Sequence, residues 1–206
     1  MLKVTNLCKS FTDFSLKNVS FEVPSGAIVG FIGQNGAGKT TTLKCILRSV
    51  LPDEGEVYVC GLPMQNIETE CTQLISFSSG TFEYYRNKKL CEIVSACKPF
   101  YSEWNDGEFK EYCRRFNLDV NKRVKELSAG TKVKFSLALA MSHNAKIFVF
   151  DEPTSGLDPI ARDELLDVFR DIVADGDKSI LFSTHITSDI EKCADYVLFI
   201  KDGAII

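Results

Sequence analysis

Gly33-Gln34-Asn35-Gly36-Ala37-Gly38-Lys39-Thr40, followed by Thr41 and Thr42, is the stretch on which the fold of this chain turns. An apolar run, Ala27 to Ile32, precedes it and reads as a buried strand, and a segment of helical spacing, Thr40 to Arg48, follows it. Strand, glycine-rich turn and helix in that order make a phosphate-binding P-loop. The glycines let the backbone bend until successive amide N–H groups aim at one concave point, where they and the helix N-terminus hold phosphate oxygens. The expected binding set is Gly33, Gln34, Asn35, Gly36, Ala37, Gly38, Lys39, Thr40 and Thr41, with Lys39 reaching the β- and γ-phosphates and the Thr40 hydroxyl ligating magnesium. A plain connecting turn needs no such lysine and hydroxyl at fixed spacing, so a nucleoside triphosphate is the expected ligand.

Composition narrows the class. A length of 206 residues suits one domain with room for a subdomain, and 45% hydrophobic with 25% charged residues is the make-up of an ordinary soluble globular protein. The formal charge of −4 lacks the basic excess of a nucleic-acid binder, so no nucleic acid is expected as partner. No stretch approaches the roughly 18 uninterrupted apolar residues of a transmembrane helix, and the N-terminus reads without the apolar core of a signal peptide. Any membrane work is expected to need another chain. The eight cysteines are scattered, without the close pairs of a zinc site or a disulfide framework, so reduced thiols are expected.

Leu2 to Leu7 reads as a strand, and Leu16 to Val23 alternates with Val19, Phe21 and Val23 inward. Together they suggest an edge sheet laid against a nucleotide-binding core. Between them, Phe11 is open to two readings: a core residue, or a platform on which adenine stacks. Glu56 to Cys60 and Leu74 to Phe77 are further strand candidates, the second running into Ser78-Ser79-Gly80-Thr81. From Phe82 to about Asn144 the spacing turns helical, with Leu90, Ile93, Val94 and Cys97 on one face and Phe109, Tyr112, Cys113 and Phe116 on another. This predicts a helical subdomain inserted into an α/β core.

A second chemical cluster follows. Ile147-Phe148-Val149-Phe150-Asp151-Glu152 is an apolar strand ending in two carboxylates, and a strand buried on both faces exposes only its C-terminal tip. Adjacent strand residues point opposite ways, so the pair can divide the work: Asp151 in the magnesium shell, Glu152 as general base for the attacking water. Asp158 and Pro159 read as N-cap and first-turn proline of a helix running to about Ala174. Lys178 to Ser183 is another buried strand, with His185 just beyond it. A lone histidine is usually structural, but the tip of a parallel strand beside a phosphate site suits a γ-phosphate sensor.

With these elements in order, the chain resembles the nucleotide-binding subunit of ABC transporters nearly end to end. Leu127-Ser128-Ala129-Gly130-Thr131 stands where that family carries its LSGGQ signature, Ser155-Gly156-Leu157-Asp158 looks like its D-loop, Phe11 matches its adenine-stacking aromatic, and Asp195 to Ile206 looks like its closing strand pair. Ser128 is a good N-cap for a helix from Ala129 to Met141, which would leave an outward anion site at the first free amides. The resemblance implies ATP and Mg2+ as cofactors, Glu152, His185 and Lys39 as catalytic residues, Thr40 and Asp151 at the metal, and Phe11, Ser128, Gly130 and Asp158 as further nucleotide contacts. It also implies an α/β P-loop NTPase with a mostly parallel core sheet, an N-terminal antiparallel β subdomain and an inserted α-helical subdomain. Residues 1–80 and 145–206 would form the core with its β subdomain, and 81–144 the helices, all within one domain over 1–206.

The partners implied are a second cassette, by preference an identical chain closing two ATPs head to tail, and a separate transmembrane permease that holds the chain peripherally at the cytoplasmic face of the cell membrane. Two departures stand out. Ala129 and Thr131 replace a glycine and the glutamine of the signature, and the family's Q-loop glutamine falls near Gly80, with no glutamine between Ser76 and Lys98. The pattern is similar to bacterial exporters of the bacitracin-resistance and phenol-soluble-modulin type, which implies export of peptides or lipid-like antimicrobial compounds. A soluble non-transport ABC ATPase and a regulatory ATP-binding module with little hydrolysis are the alternatives.

Overall fold

A computed structural model describes residues 1–64, 69–79 and 85–206. In chain order the elements are β1 (Leu2–Ser10), β2 (Ser15–Val23), β3 (Ile28–Ile32), α1 (Lys39–Ile46), β4 (Glu54–Val59), β5 (Leu62–Pro63), α2 (Thr69–Leu74), β6 (Ile75–Ser79), α3 (Leu90–Cys97) and α4 (Asp106–Arg115). There follow α5 (Ala129–Met141), β7 (Ile147–Asp151), α6 (Pro159–Val173), β8 (Ser179–Thr184), α7 (Thr187–Cys193), β9 (Tyr196–Lys201) and β10 (Ala204–Ile205). Two sheets result. One is antiparallel, in the order β2-β1-β4-β5; the other runs β10-β9-β3-β8-β7-β6, parallel except for the β10–β9 pair.

The parallel sheet is apolar on both faces, and its strand alternation divides the core in two. Ile28, Phe148, Phe150, Ile180 and Phe182 pack with α5 and α6, where the Phe150 and Phe169 rings stack at 5.0 Å. Val29, Phe31, Ile147, Val149 and Leu181 face the other way, onto α1 and the antiparallel sheet, where Phe21 meets Phe31 at 5.9 Å. Each such fully buried ring contributes about 1.5–3 kcal/mol. Gly30 breaks the apolar run because α7 crosses there; a Cβ would lie 2.4 Å from Ile190 Cδ1.

Several expectations are corrected. Leu16 is buried, not outward: the pairing passes from Leu7↔Val19 to Lys9↔Leu16, one residue extra on β2, and Asn18 takes a left-handed φ of 50°. That bulge resets the alternation, and asparagine tolerates it better than most residues. Leu74 ends a helix, α2, rather than starting a strand. The P-loop helix stops at Ile46 and Arg48 turns left-handed, so it is shorter than its spacing predicts. The α3 to α5 run lies between β6 and β7, as an insertion, with Leu90, Ile93, Phe109 and Phe116 turned inward.

Candidate functional site

Parallel register brings the chemistry to one end of the sheet. Ile32 pairs with Thr184 and Asp151 with Ser183, so the C-terminal tips of β3, β7 and β8 end side by side. A cleft of about 690 Å³ opens there, lined among others by Gln34, Asn35, Gly36, Gly38, Lys39, Thr40, Thr41, Glu152 and His185.

The glycine-rich turn is built to leave donors free. Gly38, the residue before α1, has φ 115° and no side chain with which to cap the helix, so the first-turn amides keep no side-chain acceptor. A Cβ at Gly38 would also lie 2.8 Å from both Leu16 and Phe14. The unclaimed amides and the helix dipole suit an anion. Lys39 is only 6% exposed; its ammonium donates to the Gly33 carbonyl at 2.7 Å and the Gln34 carbonyl at 3.3 Å, and lies 3.4 Å from Glu152 Oε1. It thus folds across the mouth of its own loop.

The two carboxylates reach this point by different means. Asp151 closes β7 and accepts from the Thr40 hydroxyl at 2.8 Å through Oδ2 and from the Ser183 hydroxyl at 2.7 Å through Oδ1. Glu152 lies past the strand, at φ 52°, a left-handed conformation that costs a non-glycine residue about 1–2 kcal/mol. Its amide donates to Ser183 Oγ at 2.9 Å. Asp151 stays tied to Thr40 without itself lining the cleft, and this turn, rather than strand alternation, directs Glu152 into it. There its Oε2 lies 2.8 Å from His185 Nδ1.

Ser183 escaped the sequence reading. Fully buried, it holds Asp151 and the Glu152 amide at once, and its only signal is the register of β7 on β8, which needs the sheet order. Asp13 and Phe14 also line the cleft without having been singled out, and so does Ser155 of the expected D-loop. Phe11 lines it too, 48% exposed, which excludes the core reading and leaves the ring accessible from the cleft.

Ser128, Gly130 and Asp158 stand apart. None lines this cleft. Ser128 caps α5, accepting from the Thr131 amide at 3.2 Å with the Thr131 hydroxyl at 2.8 Å, so Thr131 completes the cap. A Cβ at Gly130 would meet Leu157 and Ala161 at ordinary contact distance. Asp158 caps α6 through the amides of Ile160 and Ala161. The Q-loop position near Gly80 lies outside the described residues.

Comparison with known proteins agrees with this geometry. Residues 16–155, well over half the chain, match the family described as ABC transporter. The ABC transporter ATP-binding protein YtrB of Bacillus subtilis (strain 168) is 30% identical over 92% of this chain, which spans 65% of that relative. The bacitracin transport ATP-binding protein BcrA of Bacillus licheniformis is 28% identical over the whole chain, 68% of its own length. A solved ATP-binding subunit of an ABC transporter superposes with a TM-score of 0.88 at 28% identity, over 100% of this chain and 88% of that one. No helix among the described residues is long and apolar enough to cross a membrane. A chain whose phosphate-binding turn and acid-tipped strand meet in this fold, and which matches that family over most of its length, belongs to the ABC transporter family as one of its ATP-binding ATPase cassettes.

Proposed function

We propose that the cleft binds Mg-ATP and hydrolyses it, and that two cassettes closing on two nucleotides drive a separate permease. The observation that carries this is the convergence of Lys39, Thr40, Asp151, Glu152 and His185 at one sheet end, linked by contacts of 2.8–3.4 Å. Thr40 Oγ1 and Asp151 Oδ2, side by side, are the hard oxygen donors that suit Mg2+. When bound, the ion would draw charge from the β- and γ-phosphate oxygens. Lys39 would exchange its hydrogen bonds to Gly33 and Gln34 for phosphate oxygens, while the amides from Gly36 to Thr41 wrap the phosphates. Glu152 would accept the proton of the attacking water, and His185, already on its second oxygen, would hold that carboxylate and sense the γ-phosphate.

Ser128 and Gly130 supply the reason for a second cassette. Their helix N-terminus is anion-binding chemistry outside this chain's own cleft, which suits a nucleotide held by another copy. The permease, and with it a peripheral place at the cytoplasmic face of the membrane, rests on family membership; Tyr85 and Phe100, both exposed, offer apolar surface for it. Peptide or antimicrobial export rests on the likeness to BcrA.

The test is the magnesium-dependent ATPase rate per chain against chain concentration, with Glu152→Gln as control. A specific activity that rises with concentration and drops by about 100-fold or more in the control supports paired cassettes with Glu152 as base. Activity that is flat with concentration, or untouched by Glu152→Gln, overturns the pairing or the base respectively.

A further inference from the structure

Outside the phosphate end of the cleft, the strongest cluster lies where β1 meets the turn before β4. Lys9 Nζ donates to Asp53 Oδ1 at 2.6 Å, the Ser10 amide donates to Asp53 Oδ2 at 2.7 Å, and the Asp53 amide donates to the Cys8 carbonyl at 2.8 Å. Both carboxylate oxygens of Asp53 are therefore engaged by β1, and these hydrogen bonds, that of Lys9 foremost, hold its carboxyl below the ordinary range. The same ammonium lies 5.8 Å from the centroid of the Phe11 ring. Phe11 itself sits on a short loop, its amide donating to the Phe14 carbonyl at 2.8 Å.

A half-exposed aromatic on a loop has no core to hold it and would lose rotamer freedom when a base stacks on it. A cation fixed over one ring face restricts that freedom beforehand, and binding energy saved on ordering appears as affinity. We propose that Asp53 and Lys9 form a clamp that presets Phe11 for the nucleobase, as positioning residues that act through the ring. The clamp rests on the reading of Phe11 as the base platform, and it makes Asp53, 42 positions further along the chain, part of nucleotide selection. Since the pair is partly exposed, its effect is small and confined to the base end.

The experiment is calorimetric titration, with Mg2+, of the wild-type chain, Asp53→Ala, Lys9→Met, Phe11→Ala and the Asp53→Ala/Phe11→Ala pair, using ATP and inorganic tripolyphosphate. Asp53→Ala and Lys9→Met should each weaken ATP about threefold, and Phe11→Ala about tenfold. Tripolyphosphate, which has no base, should bind all five alike, and the double variant should bind ATP no more weakly than Phe11→Ala. Unchanged ATP affinity in the clamp variants, equal losses for both ligands, or additive losses in the double variant would each overturn the clamp. A wild-type chain that binds neither ligand would overturn the phosphate cradle itself, and the clamp with it.

Discussion

The sheet end and the N-terminus of α5 both carry phosphate-binding chemistry, yet they are finished to different degrees. At the sheet end, three parallel strand tips and the P-loop place donors, acceptors and a lysine on one another within hydrogen-bond distance. At α5 a serine cap and a glycine present helix amides, and the side chain joined to the cap among the described residues is Thr131 of the same turn. The first is a whole cleft and the second a half. Backbone amides and dipoles attract an anion, but charge neutralisation and proton transfer need side chains brought from several elements. Under the proposed function, the difference separates holding a nucleotide, which the cleft of one chain would do, from closing on it, which would take the α5 end of a second.

Substitutions can break that contrast. The largest effect is expected from Lys39→Ala, which removes a buried cation of the cleft and should weaken ATP about 100-fold or more by titration; ordinary affinity would remove Lys39 from the cradle. Next, His185→Ala should slow turnover about 10- to 100-fold while ATP affinity stays within about twofold, since the ring is hydrogen-bonded to the proposed base Glu152. A matching loss of affinity would make His185 a binding residue instead. Ser128→Ala should leave ATP binding by single chains unchanged and abolish ATP-dependent pairing of the Glu152→Gln chain in size-exclusion chromatography. Its cost in stability should be only that of a lost cap, about 1 kcal/mol.

The smallest effect tests a region remote from both sites. His143, 2% exposed, stacks on Tyr101 at 4.0 Å and 13°, and burial pushes its imidazole below its ordinary value. The unfolded chain then binds the proton first, so stability is full above about pH 6.5 and declines as the pH falls below it. Urea unfolding at pH 7.5 and 5.5 should show this loss, and His143→Phe should reduce it. A wild-type stability that is flat over that window would mean that His143 titrates normally.

How legible the molecule was differs by element. The P-loop, the N-caps Ser128 and Asp158, and the strands β7 and β8 announce themselves within a few residues, because turn chemistry, capping and apolar periodicity are local. The Leu16 bulge was hidden because it depends on which residues of β1 lie opposite. Ser183 was hidden because it is a serine in a buried strand until β7 is laid beside β8. Phe11 could not be separated from a core residue until its exposure was known.

From the sequence alone came the expected ligand class and the residues proposed to act on it, since phosphate binding needs particular side chains at fixed short spacings. Only the tertiary structure decided how those residues touch. It turned Glu152 through a left-handed backbone into the cleft, tied it and Asp151 to Ser183 from a neighbouring strand, and joined Asp53, in the turn before β4, to Lys9 of β1. Such contacts join residues tens of positions apart. Register and backbone geometry, which set them, are properties of paired strands and not of any one stretch of chain.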